Sequence, residues 1–151
     1  MKQNKALSLI DGSQHLDERG LIRFVNDFDL TPSKRFYSIE HKDTNVVRAW
    51  QGHKIEEKYF HVVQGSFVIA AVAIDNWSTP SPSLLPQKFI LKANESQVLH
   101  VPAGYANGFK ALEPNSIVMV FSSMAMDEAP KDDYRYDKDL WFNWNQNFYQ
   151  D

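Results

Sequence analysis

The sequence predicts an all-β chain arranged as a sandwich, a jelly roll or a small barrel. Short runs rich in Val, Ile, Phe and Tyr recur along most of its 151 residues. Clusters of Gly, Pro, Asn and Asp separate these runs, and no long stretch holds an apolar stripe at helical spacing. Leu21–Phe24 is the first expected strand, entered through Arg19-Gly20. Thr31-Pro-Ser leads into Lys34–Glu40, and the turn His41-Lys-Asp-Thr-Asn leads into Val46–Trp50. Glu57–Val63 follows, then Gln64-Gly-Ser and the apolar run Phe67–Ile74, which reads as a strand buried on both faces. Ser78–Pro86 carries three prolines and is expected to be a long exposed loop. Lys88–Leu91, Gln97–Val101 and Ile117–Phe121 complete the series, punctuated by Lys92–Ser96 and Glu113-Pro-Asn. The tail from Asp127 to Asp151 is acidic and aromatic, and reads as a short helix followed by an extended docking arm.

Composition narrows the function classes. A chain of 151 residues with 43% apolar and 13% aromatic content fits one domain, residues 1–151, with a real core. A net charge of −3, with no basic run interleaved with aromatics, argues against a nucleic-acid partner. The absence of cysteine removes disulfide scaffolds and thiolate chemistry. No apolar run reaches membrane-spanning length, and the apolar part of the N-terminal segment is too short for a secretory signal, so a soluble cytoplasmic protein is expected.

Two motifs sharpen the fold. Gln51-Gly-His53-Lys-Ile-Glu-Glu-Lys58 is followed by Gly65, and Pro102-Ala-Gly104-Tyr-Ala-Asn107 lies downstream. Their spacing resembles the H-x-H-x(3,4)-E-x(6)-G and P-x-G-x(2)-H motifs of the cupins, which implies a double-stranded β-helix of the jelly-roll type. Gly65 and Gly104 are then turn residues at positive φ. Asn45, where the cupin pattern has Gly, is expected in the left-handed region as well. Gln51, Lys58 and Asn107 occupy three of the four positions that hold a cupin metal, and His53 alone does not make a metal site, so no metal or other cofactor is expected.

Further blocks resemble two families that act on nucleotide-linked sugars. Asp17-Glu-Arg19-Gly20, Val47-Arg48-Ala-Trp-Gln51, the strand from Lys58 to Gly65 and Val101–Phe109 resemble elements of dTDP-4-dehydrorhamnose 3,5-epimerases. Lys34-Arg35-Phe-Tyr37, Arg48-x-x-Gln51-x-His53-Lys54 and Asp133–Asp137 resemble blocks of dTDP-sugar 3,4-ketoisomerases. The resemblance implies a homodimer that moves a proton beside a ketone on a nucleotide-diphosphate sugar. The N-terminal segment and the Trp141–Trp144 tail are the expected dimer contacts.

Such chemistry needs a base near neutral pKa, a donor for the enolate oxygen and cations for the diphosphate. The family base position holds Gln51, which has no titratable proton, and a late-strand Tyr acid would fall at Val120 or Phe121. The catalytic candidates that remain are His53 as base, Tyr37 as a proton carrier and Lys58 as a cationic donor. Arg19 and Arg48 are the candidate diphosphate ligands, since a guanidinium offers a permanently charged fork, and Gln51 and Asn107 are candidate substrate contacts. The alternative reading is a non-catalytic cupin that binds a nucleotide sugar or another anionic carbohydrate. His61 is expected to face away from Lys58, His100 to sit in the wall, and His15 and His41 to lie in loops. Restoring an imidazole with Gln51→His is expected to raise isomerase activity, measured by turnover of a dTDP-4-keto-6-deoxyhexose; unchanged turnover would mean that more than the base differs.

Overall fold

A computed structural model describes residues 6–149. The first five residues and the last two, which include part of the expected N-terminal contact and the end of the tail, lie outside the described residues. In chain order the strands are β1 (Ser8–Asp11), β2 (Ser13–Asp17), β3 (Gly20–Phe24), β4 (Arg35–His41), β5 (Val47–His53) and β6 (Lys58–Gln64). β7 (Ser66–Ala73), β8 (Gln87–Lys92), β9 (Gln97–Val101), β10 (Tyr105–Ala111), β11 (Ser116–Ser122) and the short β12 (Tyr134–Arg135) follow. They form two antiparallel five-stranded sheets, ordered β1-β9-β6-β11-β4 and β12-β5-β10-β7-β8, plus the separate hairpin β2-β3. This is the two-sheet jelly roll that the cupin motifs imply.

Alternation along the strands builds the core. Phe60 and Val62 of β6, Leu99 and Val101 of β9, and Val118 and Val120 of β11 turn inward from the first sheet. Phe67, Ile69 and Ala71 of β7 and Phe109 of β10 meet them from the second. β7 is buried on both faces, as its unbroken apolar run predicts. Its outward residues Val68, Ala70 and Val72 form a second cluster with Trp50, Trp144 and Phe148. The tail is therefore an arm that covers the second sheet. Three indole N–H groups are satisfied there by backbone carbonyls: Trp50 on Leu140 at 2.9 Å, Trp141 on Ser81 at 2.8 Å and Trp144 on Lys138 at 2.9 Å.

Several expectations need correction. β1, β2, β10 and β12 were not legible as strands, because each is set by its pairing partner more than by its own apolar content. The tail helix is a single 3₁₀ turn, Ala129–Asp132. Trp144 is 4% exposed, packed in the cluster on its own second sheet. Gly65 and Gly104 do take positive φ, at 71° and 91°, whereas Asn45 does not and instead donates its N–H to Asp43 Oδ1 at 2.8 Å.

The 3₁₀ turn delivers the buried carboxylate of Asp132 to the β5–β6 connection. Its oxygens accept the N–H groups of Lys54 at 2.8 Å, Ile55 at 2.9 Å and Glu56 at 2.8 Å. Removing it leaves backbone donors of that turn without a partner. Asp132→Ala is expected to cost about 2–4 kcal/mol and Asp132→Asn less, read as a lowered urea midpoint with an unchanged slope.

Candidate active site

Register brings the candidate residues together. Across the second sheet Arg135, Gln51 and Asn107 are directly paired on β12, β5 and β10. Opposite them, Tyr37 of β4 and Phe60 of β6 flank Val120 of β11, and Lys58 shares the inward face of β6 with Phe60. These residues, with Arg48, Ile39 and Phe109, line a cavity of about 430 Å³. Ile39, Phe60 and Phe109 are its apolar lining, Lys58, Asn107, Gln51 and Tyr37 are polar lining, and exposed Arg48 and Arg135 add cationic forks.

A bulge in β5 makes this possible. Arg48 pairs with Phe109 and Gln51 with Asn107, so Ala49 and Trp50 together stand opposite Gly108. The extra residue lets Arg48 and Gln51 both reach the cavity while the Trp50 side chain turns to the arm. Gly108 fits because a Cβ there would lie 2.5 Å from Ala49 Cβ and 2.9 Å from Trp144 Cζ2.

Lys58 is the electrostatic centre. Its Nζ donates to Gln51 Oε1 at 2.8 Å, and Gln51 Nε2 donates to Asp133 Oδ1 at 3.2 Å. Burial pulls the ammonium down to about 8; the Glu56 carboxylate works against that shift, and the positive field of Arg35 adds to it. Lys58 is thus poised to exist as a free amine slightly above neutral pH. Asn107 is buried, and its Nδ2 is a donor with no protein partner. Burial raises the Tyr37 phenol above its usual range, which keeps its proton in place at neutral pH. Arg48 Nε donates to His41 Nε2 at 3.0 Å, and burial, then the neighbouring guanidinium, lowers the pKa of that imidazole. A neutral His41 is the form that can accept this bond.

Two of the candidates are placed elsewhere. His53 is buried behind the wall and does not line the cavity. Its Nδ1 contacts the Asp132 carbonyl oxygen at 2.6 Å and its Nε2 faces Glu56 Oε2 at 3.3 Å. Burial, then the charge of Lys58, pulls its pKa down. Arg19 stands at the turn of the β2-β3 hairpin, its side chain 79% exposed and bonded to Asp17 at 2.7 Å. Sequence reasoning gave no role to Arg35 or Glu56, and it held Arg135 only as part of the Asp133–Asp137 block that resembles the ketoisomerases. His61 does face away from Lys58, with Nδ1 on the Gln97 carbonyl at 2.9 Å, and His100 is a wall residue bonded to Glu57 at 2.7 Å and stacked on Tyr59. Trp77 packs on Tyr134 at 4.9 Å. Among the described residues no group of three or more His, Cys, Asp or Glu side chains is placed to hold a metal ion.

The profile of the dTDP-4-dehydrorhamnose 3,5-epimerase family matches residues 5–150. The chain belongs to that family. No curated protein matches it by sequence. Solved structures with the same fold include the rmlC epimerase of Mycobacterium tuberculosis, 22% identical with a TM-score of 0.71, covering 90% of this chain and 72% of the other. The RmlC of Legionella pneumophila, bound to dTDP-4-keto-L-rhamnose, is 17% identical with a TM-score of 0.74 and coverages of 93% and 79%. A variant of the 3,4-ketoisomerase QdtA from Thermoanaerobacterium thermosaccharolyticum, bound to TDP-4-keto-6-deoxyglucose, is 20% identical with a TM-score of 0.66 and coverages of 86% and 87%. Within the epimerase family fold this chain therefore carries an amide, an amine and a second amide at positions 51, 58 and 107. Among the described residues, no helix is long and apolar enough to cross a membrane.

Proposed function

We propose that the chain is a metal-free nucleotide-sugar isomerase or epimerase that moves a proton next to a ketone, with Lys58 as the proton-accepting group. The observation that carries this reading is the buried Lys58 amine, brought near neutrality and facing the cavity beside the unpartnered Asn107 donor. The Lys58 lone pair takes the proton from the carbon beside the ketone. The C–H electrons move into the enolate, whose oxygen takes a hydrogen bond from Asn107 Nδ2. Lys58, now an ammonium, delivers the proton to the neighbouring carbon as the ketone shifts, and the Tyr37 phenol relays the hydroxyl proton from the new carbonyl oxygen to the old one. Gln51 holds Lys58 in place through its amide oxygen. Arg48 and Arg135 bind the diphosphate, and their charge favours the enolate.

The substrate class follows from family membership, from the cationic lining and from the sugar nucleotides seen in relatives of the same fold. The cytoplasm, where activated sugars are made, is the matching setting. A second reading is favoured by Gln51: with no imidazole at that position, the chain binds a nucleotide sugar without turning it over.

The homodimer belongs to the same proposal. The β2-β3 hairpin exposes Leu16 (75%), Ile22 (59%) and Leu21 (42%), and Phe36 on the outer face of the first sheet is 65% exposed. In a dimer that covers the hairpin, Arg19 at its tip serves the partner's cavity. Light scattering is expected to give twice the chain mass, and Leu16→Glu with Ile22→Glu to give the monomer; a monomeric parent protein would end this part of the reading.

Exchange of solvent deuterium into a dTDP-4-keto-6-deoxyhexose, followed by mass spectrometry, tests the catalytic reading. Exchange is expected to rise with pH through about 8, because only the neutral amine can accept a proton. Lys58→Arg keeps the charge but holds its proton, and is expected to lower exchange about 10²–10⁴-fold while retaining dTDP affinity. Saturable dTDP-sugar binding with no exchange at any pH would favour the binding module.

A further inference from the structure

Behind the cavity wall, one buried carboxylate faces three basic groups. Glu56 Oε2 lies 3.3 Å from His53 Nε2 and 3.6 Å from Lys58 Nζ, and Glu56 Oε1 lies 3.6 Å from an Arg35 guanidinium nitrogen. Neither Glu56 oxygen has a hydrogen-bond partner of good geometry, and neither does His53 Nε2. His53 and the Glu56 side chain are almost wholly withdrawn from solvent, so water does not screen these contacts.

The imidazole's tautomer is fixed by its other contact. His53 Nδ1 is 2.6 Å from the Asp132 carbonyl oxygen. A carbonyl oxygen only accepts, so Nδ1 carries a hydrogen. A ring carbon could not come so close to that oxygen, which excludes the flipped ring. Nε2 therefore presents either a lone pair or a second N–H to Glu56 Oε2. A lone pair against an ionised carboxylate oxygen in a dry interior is repulsive. The contact is attractive only with a proton between the two atoms, as imidazolium with carboxylate or as imidazole with carboxylic acid.

We propose that His53 and Glu56 hold a single proton between them, and that this pair sets whether Lys58 meets the sugar as an amine or as an ammonium. His53 is then a positioning residue acting through Glu56 and Lys58, not the base. The pair is neutral as a whole and leaves Glu56 only partly available to Lys58. Without that proton Glu56 would stand as a full counter-charge and hold Lys58 as an ammonium. The other charged or titratable groups around the cluster are Arg35 and Tyr37 from β4, Asp132 from the 3₁₀ turn, Asp133, whose carboxylate feels the His53 charge, and Arg135 from β12. The Asp132 carboxylate is engaged by three backbone N–H groups.

The inference rests on Lys58 as the proton acceptor, but its test does not need turnover. In the unliganded full-length protein, imidazole ¹⁵N NMR reports whether Nε2 of His53 shares a proton, and ¹³Cε-lysine NMR reports the Lys58 titration. The expected wild-type result is a His53 Nε2 signal displaced at neutral pH from that of a bare pyridine-type nitrogen. His53→Gln removes the shared proton and is expected to move the Lys58 midpoint up by about one pH unit. Glu56→Gln removes the carboxylate and is expected to move it down. A bare Nε2 signal in the wild type overturns the proposal, and so does a Lys58 midpoint that His53→Gln leaves in place. Because the wild-type spectrum suffices, a variant that fails to fold does not remove the test. If both titrations behave as expected while deuterium exchange is absent, the pair stands and the catalytic reading of Lys58 falls.

Discussion

The site depends on a single residue outside it. Asp132 uses its carboxylate to accept the N–H groups of Lys54, Ile55 and Glu56, and its carbonyl to accept His53 Nδ1–H. A connection between strands normally satisfies its backbone with water. Here a buried carboxylate does that work and brings Glu56 inward, while Lys54 and Ile55 stay exposed. The tail is consequently part of the active-site wall. β12, two residues beyond Asp132, extends the same logic by pairing Arg135 with Gln51 at the edge of the second sheet.

Burial of charge is the cost that this arrangement manages. Lys58 is 5% exposed and its ammonium is disfavoured for that reason. Replacing it by an apolar residue would relieve the penalty, so an ionisable group kept in such a place points to chemistry more than to stability. The same holds for Asn107, whose buried Nδ2 is a donor left without a partner in the protein. Apolar Phe60, Phe109 and Ile39 share the lining with both groups, and low-polarity neighbours strengthen an electrostatic contact.

Much of the fold was legible in the sequence, and the reasons are local. The run from Phe67 to Ile74 read as a doubly buried strand, which is β7, and Gly65 and Gly104 marked turns at positive φ. Spacing of the two cupin motifs placed Gln51, Lys58 and Asn107 in one cavity because strand alternation and register carry spacing directly into position. β10 was missed because its sequence, Tyr-Ala-Asn-Gly-Phe-Lys-Ala, has turn residues at its centre, where Asn107 and Gly108 serve the site and the close approach of β5. His53 was placed at the centre of the chemistry because H-x-H spacing puts it on the same strand face as Gln51. What sequence does not encode locally is the distant partner. Asp132, nearly eighty residues away, captures that ring and turns it from the cavity to the wall behind. Arg19 illustrates the same gap, since its exposed hairpin has no place in the cavity of its own chain.

The arm also gives the protein an optical signature. Trp50 lies 5.3 Å from Trp141 and 5.6 Å from Trp144, ring centre to ring centre. Indoles this close couple their excited states, so near-ultraviolet dichroism and emission report directly on whether the arm is seated. Since the segment carrying Asp132 and Arg135 leads into that arm, light absorbed by these indoles is a readout of how well the cavity wall is assembled.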